Sequence, residues 1–163
     1  MVPRDLFLIT GIPGTGKTTY GDSFAQKFGF VHFNFEDLGI LSRFMTDQNR
    51  FIQDILKGKS STVITWGFLP DEQQTAMVVN LKAAGFKLFW FDGNRPASLR
   101  AFQERERKKR EGERISEELF YLQMYRIENS KVIKKINPVM INPFDKKEKF
   151  KPPAMLLDEM RSA

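Results

Sequence analysis

The chain has 163 residues, 41% of them hydrophobic and 28% charged, with a formal net charge of +6. That length suits one domain whose core needs no disulfide or metal to hold it. There is no cysteine and a single histidine, His32, which excludes disulfides, cysteine-bound zinc, thiol nucleophiles and histidine metal clusters, while the positive charge favours polyanionic ligands: nucleotides, phosphorylated metabolites or nucleic acid.

The apolar run after Met1-Val2-Pro3-Arg4-Asp5 is too short to cross a membrane and no small-residue cleavage site follows it, so a cytoplasmic protein is expected. Leu6-Phe7-Leu8-Ile9 reads as a strand buried on both faces. A glycine-rich loop follows, then a helix from Thr18 to Phe28 stopped by Gly29. Phe30–Phe33 reads as a second strand, and residues 36–56 as a broken helical region ending near Gly58. Thr62–Trp66, bounded by Gly67, is a third strand, and Pro70 opens a helix that closes at Gly85. Phe86–Phe91 is a fourth strand, closed by Asp92-Gly93. A charged helix runs from Arg95 to Lys109, with Gly112 as a break and Ser116 as the N-cap of the next helix. Pro138–Ile141 is a fifth strand, residues 142–153 read as a polar, basic loop, and Pro152-Pro153 leads into a terminal helix through Met155, Leu156 and Met160. Strands alternating with helices at this spacing predict an α/β fold, a parallel sheet covered by helices, in one domain over residues 1–163.

Gly11-Ile12-Pro13-Gly14-Thr15-Gly16-Lys17-Thr18 meets the pattern G-x-x-x-x-G-K-[ST] between a predicted strand and a predicted helix. Backbone N–H groups can converge on phosphate oxygens only where side chains do not block them, which is what Gly11, Gly14 and Gly16 provide. The helix turns its positive end toward the anion. In this pattern Lys17 meets the β- and γ-phosphates and Thr18 offers its hydroxyl to Mg²⁺. Thr19, next in line, completes the predicted nucleotide-binding stretch.

With Thr19, this stretch resembles the loop of P-loop kinases that act on small molecules or nucleotides: adenylate, shikimate and gluconate kinases and chloramphenicol phosphotransferase. The resemblance implies a three-layer P-loop NTPase fold, a five-stranded parallel sheet in the order 2-3-1-4-5 with helices on both faces. It implies ATP and Mg²⁺ as cofactors, an acidic residue after the second strand that serves the acceptor, and an arginine-bearing lid after the fourth strand. Asp37 is the first candidate for the acidic role and Glu36 the second; a carboxylate at a helix N-terminus also has a purely structural use. The third strand ends Thr65-Trp66-Gly67 and lacks the aspartate of a Walker B strand. Trp66 reads equally as a ring-stacking and as a packing residue, Asp92, Asn94 and Arg95 as a turn or a substrate contact, and His32 as a core or hydrogen-bonded residue.

The lid is expected at about residues 104–115, with Arg105 and Arg107 as its phosphate contacts. The bland reading of the same segment is a solvated helix laced with i,i+4 pairs among Glu104, Glu106, Glu111, Glu113 and their basic neighbours. The leading function is transfer of the γ-phosphoryl group of ATP to a small hydroxyl- or phosphate-bearing acceptor. Two alternatives stand beside it: an ATP-binding regulatory protein without transfer activity, and a polynucleotide 5′-end kinase or other nucleic-acid-associated ATPase. Nucleic acid ranks below a small molecule, because clustered Lys and Arg suffice for phosphate contact but no exposed aromatic platform accompanies them. The guanine motif N-K-x-D is missing; Asn142-Pro143-Phe144-Asp145 lacks the lysine. Oligomeric state and acceptor identity are not encoded in any motif.

Overall fold

The computed structural model describes residues 3–163. Its elements, in chain order, are β1 (Leu6–Gly11), α1 (Lys17–Phe28), β2 (Val31–Asn34), α2 (Leu38–Thr46), α3 (Gln48–Lys57), β3 (Thr62–Thr65), α4 (Glu72–Ala83), β4 (Lys87–Phe91), α5 (Arg95–Arg107), α6 (Glu117–Glu128), α7 (Val132–Ile136), β5 (Val139–Ile141) and α8 (Pro153–Ser162), with a 3-10 turn at Glu111–Glu113. The five strands are all parallel, in the order β2-β3-β1-β4-β5. Among the described residues no helix is long and apolar enough to cross a membrane.

Strand residues alternate between two hydrophobic cores on opposite faces of the sheet. Leu8, Ile64, Leu88 and Trp90 point to one face, where Phe44, Phe51, Met77, Leu81, Phe102, Phe120 and Ile136 from α2–α7 cover them. Phe7, Ile9, Val63, Phe89 and Phe91 point to the other, against Tyr20 and Phe24 of α1 and Leu156, Leu157 and Met160 of α8. A strand buried on both sides must be apolar throughout, which is why Phe7, Leu8 and Ile9 read as an unbroken run.

Local chemistry sets the boundaries. The expected break in the 36–56 region falls at Asp47, whose N–H closes α2 on Arg43 and whose carboxylate accepts from Arg50 N–H to open α3. Helix α4 begins at Glu72 and not at Pro70, because Asp71 takes the capping role by accepting from Gln74 N–H at 2.7 Å. Ser116 caps α6 as the sequence predicts. The charged helix α5 ends two residues short of Lys109, and α7, a short helix with no strong periodicity, is an addition to the predicted elements.

One contact ties α1 to the sheet. The His32 ring lies under α1, with Nδ1 at 2.9 Å from the Asp22 carboxylate and Nε2 at 2.7 Å from Thr65 Oγ1. His32 is thus the hydrogen-bonded residue that the sequence allows. The ring fits because position 21 has no side chain: a Cβ on Gly21 would overlap it. Alanine there gains about 1 kcal/mol of helix propensity, yet its methyl group meets a ring held at both nitrogens. Gly21→Ala is therefore expected to lower the unfolding free energy by about 1–2 kcal/mol, read from urea unfolding. A variant more stable than the wild type would show that the ring yields freely.

Candidate functional site

All five strands run in the same direction, so the loops after β1, β2, β3 and β4 gather at one edge of the sheet. A cleft of about 1080 Å³ opens there. Its floor is the loop between β1 and α1, its near walls are Glu36 and Gly67–Pro70, and its far walls come from α5, α6 and Phe150–Pro153.

The floor is built by close packing. Ile12 is fully buried in the core and its N–H donates to Phe91 O at 3.1 Å, which anchors the start of the loop to β4. Thr15 Oγ1 donates back to Ile12 O at 2.8 Å. Gly14 has φ +76, and a Cβ there would overlap the Ser98 carbonyl oxygen of α5, so glycine is required on both counts. Gly16 is the N-cap of α1 and offers no side-chain acceptor, so the first-turn N–H groups and the positive end of the helix face the cleft beside Thr18 and Thr19.

Lys17 reaches back across this loop, donating from Nζ to Ile12 O at 2.8 Å and to Gly11 O at 3.3 Å. Burial lowers its pKa from 10.5 to about 8; the Glu36 carboxylate opposes that shift and the Arg105 guanidinium adds to it. Glu36 lies close by. Its Oε1 accepts from Gly67 N–H at 2.7 Å. Gly67 leaves room for this, since a Cβ would come within 2.9 Å of Glu36 Oε1 and 3.7 Å of Lys17 Cε.

The two acidic candidates separate. Asp37, preferred from sequence, is the N-cap of α2, with its carboxylate accepting from Gly39 N–H at 2.9 Å and Ile40 N–H at 3.3 Å, and it does not line the cleft. Glu36 does line it. The two arginines separate as well. Arg105 lines the cleft, with its guanidinium 5.2 Å from the centre of the Phe102 ring. Arg107 points outward, 72% exposed, and pairs with Glu104 at 3.3 Å. Lys108 and Lys109, not singled out as phosphate contacts from sequence, also line the cleft, as does Arg126 on α6.

Trp66 is 3% exposed and packs against Phe35 and Phe68, which decides for a packing residue. Asn94 caps α5, Asp92 accepts from Gly93 N–H, and Arg95 pairs with Glu128, so this cluster builds the start of α5 and stays out of the cleft. An exposed aromatic pair does exist: Tyr121 and Tyr125 on α6 are 54% and 65% exposed. At about 100° per residue they stand on the far side of that helix from Gln123, so they do not extend the cleft.

The 142–153 segment takes a larger part than its polar composition suggests. Phe144 and Phe150 stack at 4.7 Å, and Phe150 lies against Gly16 and Tyr20. The Tyr20 hydroxyl donates to Lys151 O at 2.7 Å, with Pro143 O at 3.2 Å. Helix α1 thereby holds Phe150–Pro153 over the loop as an apolar wall. No local pattern flags this role, because the contact joins Tyr20 and Lys151, far apart in sequence.

No group of three or more His, Asp or Glu residues able to hold a metal occurs among the described residues. Oxygen donors among the cleft-lining residues include the Thr18 hydroxyl, beside the loop, and the Glu36 and Glu104 carboxylates. A hard cation with few protein ligands, completed by phosphate oxygens and water, suits such a set; a fully protein-ligated ion does not.

No protein-family model matches the sequence, and no curated protein matches it significantly. Solved structures do resemble the fold. A gluconokinase from Sinorhizobium meliloti 1021 is 15% identical, with a TM-score of 0.55, covering 98% of this chain and 92% of its own. A shikimate kinase from Bacteroides thetaiotaomicron is 14% identical, with a TM-score of 0.56 and coverage of 97% and 95%. The tunicamycin resistance protein of Deinococcus radiodurans is 13% identical, with a TM-score of 0.62 and coverage of 98% and 95%. The chain has the fold of the P-loop kinases, in the strand order that the loop resemblance implies.

The depressed Lys17 pKa has a stability consequence. Between about pH 8 and 10.5 the unfolded chain binds a proton that the folded protein does not, so stability rises with pH through that window, and the buried charge is a burden below it. Lys17→Met is expected to raise the unfolding free energy at pH 7 by about 1–2 kcal/mol, after allowance for partial exposure and the lost carbonyl contacts, and to flatten the rise above pH 8. A destabilised Lys17→Met protein with an unchanged pH profile would contradict the buried-cation description.

Proposed function

We propose that the protein is a phosphotransferase that binds ATP with Mg²⁺ in the Gly11–Thr18 loop and passes the γ-phosphoryl group to a small hydroxyl-bearing acceptor. One observation carries the reading: a single cleft joins the loop and its Lys17 to a carboxylate, Glu36, fixed beside that lysine by the Gly67 N–H at 2.7 Å. A cleft of about 1080 Å³ also suits a nucleotide and a second ligand together, lying just above the roughly 300–1,000 Å³ range for a single-ligand site.

In this reading each group has one task. The N–H groups of residues 14–18 and the α1 N-terminus receive the phosphates, and Lys17 takes the charge of the β/γ bridge. Mg²⁺, held by Thr18, phosphate oxygens and water, would neutralise charge on the phosphates. Pro152, Pro153 and Phe150 wall a slot for the base. Phe68, Leu69 and Pro70 wall the acceptor, whose hydroxyl lies against the free oxygen of Glu36. The acceptor oxygen attacks the γ-phosphorus, the bond to the β-bridging oxygen breaks, Glu36 takes the hydroxyl proton, and ADP leaves. Residues 104–115 form the lid, with Arg105, Lys108 and Lys109 on its inner side, and Arg105 meets charge that grows in the transition state. The Lys17 ammonium, desolvated in the free protein, gains an anionic partner when the triphosphate arrives, so its pKa rises on binding.

A screen of hydroxyl metabolites and nucleosides with γ-labelled ATP tests the activity. Once an acceptor is found, Glu36→Gln should lose at least about 100-fold in single-turnover transfer while holding ATP within threefold of wild type. Asp37→Ala should transfer normally and lose only cap stability, about 0.5–2 kcal/mol. The reverse pattern would move the acceptor site to the start of α2. Tight ATP binding with no acceptor in a broad screen would favour a regulatory nucleotide-binding protein.

A further inference from the structure

Glu106 is the only charged residue that is buried among the described residues, at 5% exposure. An uncompensated carboxylate in such a place is strongly unfavourable, and here three donors surround it. Lys109 Nζ lies at 2.9 Å and Arg105 Nε at 3.3 Å from Oε1, and Ile115 N–H donates to Oε2 at 2.9 Å. Burial alone would push the Glu106 pKa up; the Lys109 and Ile115 hydrogen bonds and the Lys109 and Arg105 charges outweigh it and hold it below the ordinary value.

The placement of these partners matters more than their number. Arg105 and Lys109 both line the cleft. Ile115 is where the chain returns to the body after the 3-10 turn, so one carboxylate at the end of α5 ties together the two cleft cations and the far end of the 107–115 excursion. The exposed Arg107 side chain pairs with Glu104 and not with Glu106.

We propose that Glu106 is a positioning residue for phosphoryl transfer: it holds Arg105 and Lys109 in a fixed pose at the cleft and offsets part of their charge until the transferring phosphoryl group draws on it. This rests on the phosphotransferase reading above. Prearranged cations stabilise developing charge without reorganising during the step. A counter-carboxylate also trims their pull on ground-state ATP, so that their effect falls on the transition state.

That division gives a signature that a merely structural staple lacks. Glu106→Gln keeps the size of the side chain and an oxygen for Ile115 N–H but removes the charge. It should bind Mg·ATP about threefold or more tightly, because the cleft becomes more positive, and should transfer at least about tenfold more slowly in single turnovers. In an Arg105→Ala background the same substitution should have a smaller effect on transfer than in the wild type, the remainder passing through Lys109, because the groups act as a unit. Weaker ATP binding together with a fall in folding stability would mark a staple and overturn the proposal, as would wild-type transfer or an effect fully additive with Arg105→Ala. If Glu106→Gln does not fold, Glu106→Asp keeps the charge and shortens the reach; slower transfer at unchanged ATP affinity is expected, and wild-type transfer overturns the proposal. Absence of transfer by the wild-type protein would sink the phosphotransferase reading itself, whereas transfer that ignores Glu106 sinks only this inference.

Discussion

The Lys17 ammonium is held, partly buried, at the carboxyl end of the central strand, and the surrounding structure is shaped by keeping it there. It leans on the carbonyls of Gly11 and Ile12, faces the Glu36 carboxylate and shares the cleft with Arg105. A cation in that position costs stability, and its depressed pKa of about 8 measures the cost. Such a burden is characteristic of sites that wait for an opposite charge. The loop can hold the lysine only because β4 anchors Ile12, because Gly14 presses against Ser98, and because Gly67 leaves space between the lysine stem and Glu36.

The sheet makes this arrangement rigid. Two cores clamp β1 from both faces, and its neighbours β3 and β4 bring Gly67 and Phe91 to the same edge at fixed heights. Helix α1 is tied to the sheet through His32 and to the 142–152 loop through Tyr20. The floor and one wall of the cleft are therefore set by well-packed elements. The opposite wall, from Glu104 to Ile115, hangs on fewer contacts, and Glu106 supplies several of them. A fixed floor facing a wall held by a few polar contacts suits chemistry in which one side closes over bound substrate.

Much of the fold was legible because β1 and β4 carry unbroken apolar runs, the shorter strands are punctuated by glycine or proline nearby, and the loops carry their own turn residues. The strand order followed from resemblance to a family whose loop the chain shares, and periodicity alone could not have supplied it. What sequence could not rank were neighbours of like chemistry. Glu36 and Asp37 are adjacent carboxylates after one strand; the difference is that Asp37 sits where α2 begins and its Oδ1 accepts from both the Gly39 and Ile40 N–H groups, away from the cleft. Arg105 and Arg107 differ by two residues, or about 200° around a helix, which turns one toward the cleft and the other toward solvent. The capping preference of aspartate before a leucine-rich helix was a usable signal for the first pair. For the second, the α5 phase set by Ser98 and Phe102, buried one turn apart, would have served. The role of Phe150–Pro153 depends on Tyr20, distant in sequence, and no local pattern encodes that contact.

The account stands on the claim that triphosphate lies against the loop backbone between Pro13 and Thr18. Hydrogen exchange of the backbone amides, followed residue by residue with and without a non-hydrolysable ATP analogue and Mg²⁺, reads that contact directly. The account predicts slowed exchange at Gly14, Gly16, Lys17 and Thr18, lost when Mg²⁺ and analogue are removed. Binding of the analogue with unchanged exchange at those amides, and protection elsewhere on the surface, would contradict it.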